Sequence, residues 1–100
     1  MNFNEQCYDL LIKIPEGKIT TYKLMAEALN IPKAYRAVGN AMAKNKVPII
    51  IPCHRVVKSD GGIGGFALGA ARKIELLEEE GITIKNNIVI NLRKYLWDFK

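Results

Sequence analysis

Apolar residues recur every three to four positions at Phe3, Cys7, Leu10, Leu11 and Ile14, the spacing of an amphipathic helix. Pro15 and Gly17 in IPEGKIT stop that helix and open a short connection. YKLMAEAL carries a second helix to about Leu29, with Thr20 or Thr21 available as its cap. NIPKA is a turn, and Pro32 fits the first turn of a third helix from about Lys33 to Lys44. Two short helices across a tight turn suggest helix-turn-helix. VPIIIPCHRVV is too short and too β-branched for a helix. Pro48 and Pro52 bracket it, which predicts a buried extended segment ending in a turn. KSDGGIGGFALG follows as a loop with five glycines among its twelve residues. A helix from about Gly69 to Glu80 comes next, with Ile74, Leu76 and Leu77 apolar and Gly81 at its C′ position. ITIKNNIVI predicts a small hairpin turning at Asn86 and Asn87. LRKYLWDFK predicts a closing helix with Leu92, Tyr95, Leu96 and Phe99 on one stripe. The sum is a mainly α fold: one winged-helix-like helix-turn-helix domain over residues 1–100, with a small β-hairpin.

Composition narrows the function classes. No stretch reaches the roughly 18 apolar residues of a membrane helix, and a secretory leader is not expected. Two cysteines, Cys7 and Cys53, fall in different elements. A disulfide framework is not expected, and a reducing cytoplasm is. One histidine without paired cysteines argues against a zinc site. The net charge of +5, from 15 Lys+Arg against 10 Asp+Glu, fits a nucleic-acid partner as well as it fits an ordinary basic protein.

The third helix is unusual in its small residues: Ala34, Ala37, Gly39, Ala41 and Ala43. Gly39 in a helix interior costs roughly 1 kcal/mol relative to alanine. Either a neighbouring helix packs closely there, or a nucleic-acid backbone approaches with Arg36 reaching past its short neighbours. The glycine-rich loop lacks the Lys-Ser/Thr ending of a phosphate-binding P-loop. It reads as a loop bending sharply around a pocket.

PCHR sets Cys53 beside the only histidine, His54. A thiol of ordinary acidity must lose its proton to attack carbon, and a histidine can take that proton directly or through one water. The histidine in turn needs a third group to orient it; Glu75, Glu78, Glu79, Glu80 and several carboxylates earlier in the chain are available, and spacing does not choose among them. Adjacent residues of a strand point to opposite faces, so Cys53 and His54 must occupy a turn to serve one pocket. Taken alone, Cys53 also reads as a small core residue.

IPCHRVV closely resembles the active-site motif of the O6-alkylguanine-DNA alkyltransferases, the methylated-DNA–protein-cysteine methyltransferases. GKITTYKLMAEAL, PKAYRAVGNAMAKNKVP and GGFALGAARKIELLEEEG resemble, in order, that family's first helix of the helix-turn-helix, its recognition helix with hinge, and the loop and helix that close its pocket. The resemblance implies a self-consuming DNA repair protein that moves an alkyl group from guanine O6 in double-stranded DNA onto its own cysteine, without a cofactor. By position, Cys53 would be the acceptor, His54 would draw off the thiol proton through a water, and Glu80 would orient His54. Asn45 would be the hinge that ties the recognition helix to the active-site turn. Tyr22 would crowd the target phosphate and donate to guanine N3, Arg36 would fill the stack left by the flipped nucleotide, and the Val56 carbonyl would accept from the guanine amine. Phe66 would stack on the base, the backbone N–H of Ala67 would meet O6, and Gly39 and Ser59 would lie against DNA.

The sequence departs from the family pattern at four positions. Phe66 stands for a common tyrosine, Ala67 for a serine, Leu68 for a glycine, and Tyr35 is large beside Arg36. The family's N-terminal domain is expected to be absent, and the protein is expected to be a monomer. Two other readings are a binding module that holds alkylated guanine and a winged-helix regulator. Binding modules of this kind typically carry tryptophan at the cysteine position, and the regulator leaves PCHR unexplained.

Overall fold

The computed structural model describes all 100 residues. Helix α1 spans Phe3–Ile12, α2 Tyr22–Ala28, α3 Tyr35–Ala43, α4 Ala70–Glu79 and α5 Leu92–Tyr95. Four two-residue strands, β1 (Thr20–Thr21), β2 (Val56–Val57), β3 (Ile84–Lys85) and β4 (Ile88–Val89), complete the fold with a 3₁₀ turn at Cys53–Arg55.

Local chemistry accounts for the helix starts. Asn2 and Glu5 form a capping box on α1: the Asn2 side chain accepts from the Glu5 N–H at 2.9 Å, and Glu5 reaches back to the Asn2 N–H. Thr21, rather than Thr20, caps α2 by accepting from the Leu24 N–H at 3.0 Å. The α2–turn–α3 unit and α1 enclose one core of Cys7, Leu11, Met25, Ala26, Val38 and Ala41, which continues to Cys53 and Val56. A second core of Ile19, Val57, Leu77, Ile82, Val89 and Tyr95 lies beneath α4 and the hairpin. β1 and β2 run parallel between the cores, Thr20 opposite Val56 and Thr21 opposite Val57. That pair, not expected from the sequence, fixes the start of α2 against the end of the Cys53 turn.

The hairpin turns at Asn86 and Asn87, both with positive φ (52° and 62°), as a type I′ turn requires. It also buttresses the glycine-rich loop: the Val89 N–H bonds the Gly61 carbonyl at 2.8 Å, and the Ile63 N–H bonds the Asn87 carbonyl at 3.1 Å.

Three expectations are corrected. The third helix begins at Tyr35, and Pro32 lies in the preceding turn, which the Ala34 N–H closes on the Ile31 carbonyl at 2.9 Å. The run before Cys53 is not a buried extended segment. Val47, Ile49 and Ile50 are exposed, Ile50 by 82%, because the Ile51 N–H folds back onto the Val47 carbonyl and makes a turn. The closing helix is one turn long. Past Tyr95 the chain is extended, because the Trp97 N–H bonds the Ile19 carbonyl at 2.7 Å and the Ile19 N–H bonds the Tyr95 carbonyl at 2.9 Å.

Candidate active site and adjoining cleft

Asn45, just past α3, is buried. Its Nδ2 donates to the Ile51 carbonyl at 2.8 Å and its Oδ1 accepts from the Val47 N–H at 3.1 Å. One side chain therefore holds both ends of the exposed turn and sets where the chain dives inward at Pro52. The 3₁₀ turn begins there, with the Cys53 N–H on the Ile51 carbonyl at 2.7 Å. Three residues per turn separate successive side chains by about 120°. Cys53 thus lines a cavity while His54 points to Glu80, which a strand could not arrange.

The cavity, about 320 Å³, is bounded by Tyr22, Gly39, Met42, Cys53, Phe66 and Ala67 among others. Cys53 is 3% exposed. Burial pushes its thiol up, against the opposing pull of the neighbouring Asn45 amide and of the Lys73 charge. A thiol held above its ordinary range is protonated at neutral pH and needs a base.

His54 Nε2 lies 2.8 Å from Glu80 Oε2. Arg55 grips the same carboxylate from the other side, Nε to Oε1 and Nη2 to Oε2, each at 2.9 Å, while its Nη1 donates to the Ile14 carbonyl. The Gly17 N–H reaches Oε1 at 3.3 Å. Burial alone would raise Glu80. The hydrogen bonds from His54 and Arg55 and the guanidinium charge outweigh it and bring the carboxyl down to about 2. When the ring is neutral, an ionised Glu80 that accepts the Nε2 proton leaves the lone pair on His54 Nδ1. That nitrogen is buried and has no partner within the chain.

A second cleft, about 500 Å³, shares Tyr22, Gly39 and Gly65 with the first and extends to Lys23, Tyr35, Arg36, Lys58 and Ser59. No carboxylate lines it. A Cβ on Gly39 would meet nothing within 4 Å, which removes close helix packing as the reason for that glycine. The outer face of α3 carries Arg36, Ala37, Asn40 and Ala43 exposed beside it. Gly64 is required for a different reason. Its φ is +72°, and a Cβ there would come within 2.7 Å of the Tyr22 hydroxyl, so the loop folds directly against Tyr22.

The structure thus gathers Cys53, His54, Glu80 and Asn45 around one turn, sets Tyr22, Gly39, Phe66 and Ala67 on the cavity, and places Arg36 and Ser59 in the adjoining cleft. Val56 stands apart: its side chain is buried in the core and its carbonyl already accepts from Lys73 Nζ at 2.6 Å. Sequence reasoning missed Arg55 and Lys73. Arg55 was visible within PCHR. Lys73 precedes Leu76 and Leu77 by three and four residues, so a lysine on the apolar stripe of α4 was the available signal.

The sequence profile described as "6-O-methylguanine DNA methyltransferase, DNA binding domain" matches residues 2–82. The chain belongs to this family. Among its methyltransferase relatives, it is 52% identical over 71 residues to the methylated-DNA–protein-cysteine methyltransferase of Pyrobaculum aerophilum, 71% of this chain and 47% of that one. It is 47% identical over 78 residues to the bifunctional transcriptional activator/DNA repair enzyme Ada of Escherichia coli, 78% of this chain and 22% of Ada. The chain therefore spans about half or less of these curated relatives. It also resembles S. pombe Atl1, solved in complex with damaged DNA containing O6-carboxymethylguanine, with a TM-score of 0.86 at 35% identity, covering 95% of this chain and 94% of that one. No helix is long and apolar enough to cross a membrane.

Proposed function

We propose that this chain repairs O6-alkylguanine in double-stranded DNA by a single, irreversible transfer of the alkyl group to Cys53. The observation that carries this reading is the cavity-lining cysteine backed by His54, whose Nε2 is committed to an ionised Glu80 and whose Nδ1 is free to accept. Buried ring nitrogens are normally satisfied, and a water between Nδ1 and the thiol satisfies this one while relaying the proton. His54 takes the thiol proton through that water. The thiolate attacks the alkyl carbon, the S–C bond forms as the C–O6 bond breaks, and the electron pair passes into the purine. Tyr22 delivers a proton to N3 of the leaving guanine, and the proton taken from Cys53 passes from His54 by way of solvent to restore the Tyr22 hydroxyl. Cys53 ends as a thioether, so the acceptor is consumed. Asn45 and the Cys53 turn hold the sulfur in place, because displacement at carbon tolerates little misplacement.

An O6 alkyl group lies inside the base stack, so the nucleotide must be everted at a cost of a few kcal/mol. The minor groove is only about 6 Å wide, and the small outer face of α3 around Gly39 suits it. Arg36 fills the vacated stack, Phe66 stacks on the everted base, the Ala67 N–H meets O6, and Ser59 contacts the backbone. The Val56 carbonyl has a second lone pair for the guanine amine.

A duplex carrying isotopically labelled O6-methylguanine tests this. One equivalent of label should move to each protein molecule, after which reaction stops; repeated turnover would contradict a consumed acceptor. Atl1, of which this chain covers 94%, is solved in complex with damaged DNA, which supports a second reading, a module that binds the lesion. Tight binding with no label moved would establish it.

A further inference from the structure

Lys73 lies in the first turn of α4 with its side chain fully buried. Lysine is almost never buried without a charged partner, yet it forms no ion pair. The carboxylate nearest the site, Glu80, is held by His54 and Arg55, and the Arg72–Glu75 pair lies at the surface. Lys73 Nζ instead donates to two carbonyls, Val56 at 2.6 Å and Gly65 at 3.1 Å, and lies 6.0 Å from the centre of the Tyr22 ring. Val56 directly follows the Cys53 turn, and Gly65 lines the cavity. The ammonium therefore spans from the nucleophile's own segment to the glycine-rich loop opposite. The titratable groups facing it are Cys53 and Tyr22. Burial lowers its pKa to about 8, while a negative charge on Cys53 would raise it.

A buried cation without an anion is expensive unless its partner appears during function. The anion that the transfer reaction generates beside it is the Cys53 thiolate. We propose that Lys73 is a positioning residue that clamps Gly65 of the loop to the Val56 carbonyl and supplies the positive field in which the Cys53 thiolate forms. The transfer part of this assignment rests on the proposed repair reaction; the thiol part does not.

The test is the pH dependence of Cys53 alkylation by iodoacetamide in the full chain without DNA, read on the Cys53 peptide by mass spectrometry, alongside methyl transfer from duplex. Lys73→Gln keeps a donor for one carbonyl and removes the charge. It should raise the Cys53 titration by about one pH unit, roughly tenfold less thiolate at neutral pH, and slow methyl transfer about tenfold, with DNA affinity unchanged. Lys73→Met should do the same and also lower the melting temperature by releasing the loop. If Lys73→Met does not fold, Lys73→Gln carries the test. A Lys73→Gln protein whose thiol titrates as the wild type does would overturn the assignment. A wild-type protein whose thiol titration depends on Lys73, yet which accepts no methyl group from DNA, would instead overturn the repair reaction and leave the thiol assignment standing.

Discussion

Replacing Arg55 with methionine should be the most destabilising single change at the site, and its cost should depend on pH in a defined direction. Arg55 makes two hydrogen bonds to Glu80 and one to the Ile14 carbonyl, linking the Cys53 turn to α4 and to the chain after α1. Both ionic side chains are largely shielded, Arg55 at 15% and Glu80 at 10% exposure. Breaking a buried pair from one side costs about 3–5 kcal/mol. The residual exposure and the surviving His54 bond place this case near the lower end, about 3 kcal/mol. A chain of this size has roughly 5–15 kcal/mol to lose, so the melting temperature should fall by roughly 12–24 °C. The carboxyl of Glu80 is held at about 2 against an ordinary 4.5. Its ionisation therefore stabilises the wild type above about pH 4.5, and that contribution disappears as the pH falls toward about 2. In Arg55→Met the carboxyl rises toward its ordinary value. The stability gap between the two proteins should be widest near neutrality and should narrow as both carboxyls protonate. Urea denaturation followed by circular dichroism at several pH values measures this. A gap below about 1 kcal/mol, or one that stays constant with pH, would refute the reasoning.

Other changes probe separate features. Gly64→Ala puts a methyl group within 2.7 Å of the Tyr22 hydroxyl at a φ of +72°; single-turnover methyl transfer should slow at least tenfold, about 1.4 kcal/mol of barrier, and wild-type speed would contradict the loop–tyrosine contact. Ile49 is β-branched, exposed and held at a φ of +78°, so Ile49→Gly should raise the urea midpoint by up to about 1 kcal/mol of stability; a lower midpoint would contradict the turn. Arg36→Ala should lower duplex affinity and reduce the slope of log affinity against log salt by about 1, and should impair repair of duplex more than reaction with the free base. Equal losses on both substrates would remove Arg36 from the stack-filling role.

The sequence disclosed what local rules control. The capping at Thr21, the helix stop at Gly81 and the Asn86-Asn87 turn each depend on residues within a few positions, and each stands in the structure. Where long-range bonds compete with periodicity, pattern reading failed. VPIII looked like a core strand because it is apolar, but Asn45 holds both its ends and throws Ile49 and Ile50 outward. The stripe in LRKYLWDFK looked helical, but Ile19, some seventy-five residues earlier, claims the backbone of Tyr95 and Trp97. The chemistry was legible in PCHR as a pair of residue types. The choice of Glu80 among the available carboxylates came from family resemblance, and the part played by Lys73 emerged only when α4 was seen packed over Val56 and Gly65.

Peptide-resolved mass spectrometry of the protein after incubation with duplex O6-methylguanine tests the central claim most directly, because the chain contains its own control. Cys7 is fully buried and its thiol is pushed up to about 11, whereas Cys53 opens onto the cavity beside His54. A single methyl group on the peptide bearing Cys53, and none on the peptide bearing Cys7, is the expected result. Methylation at neither cysteine, or at Cys7 instead, would contradict it.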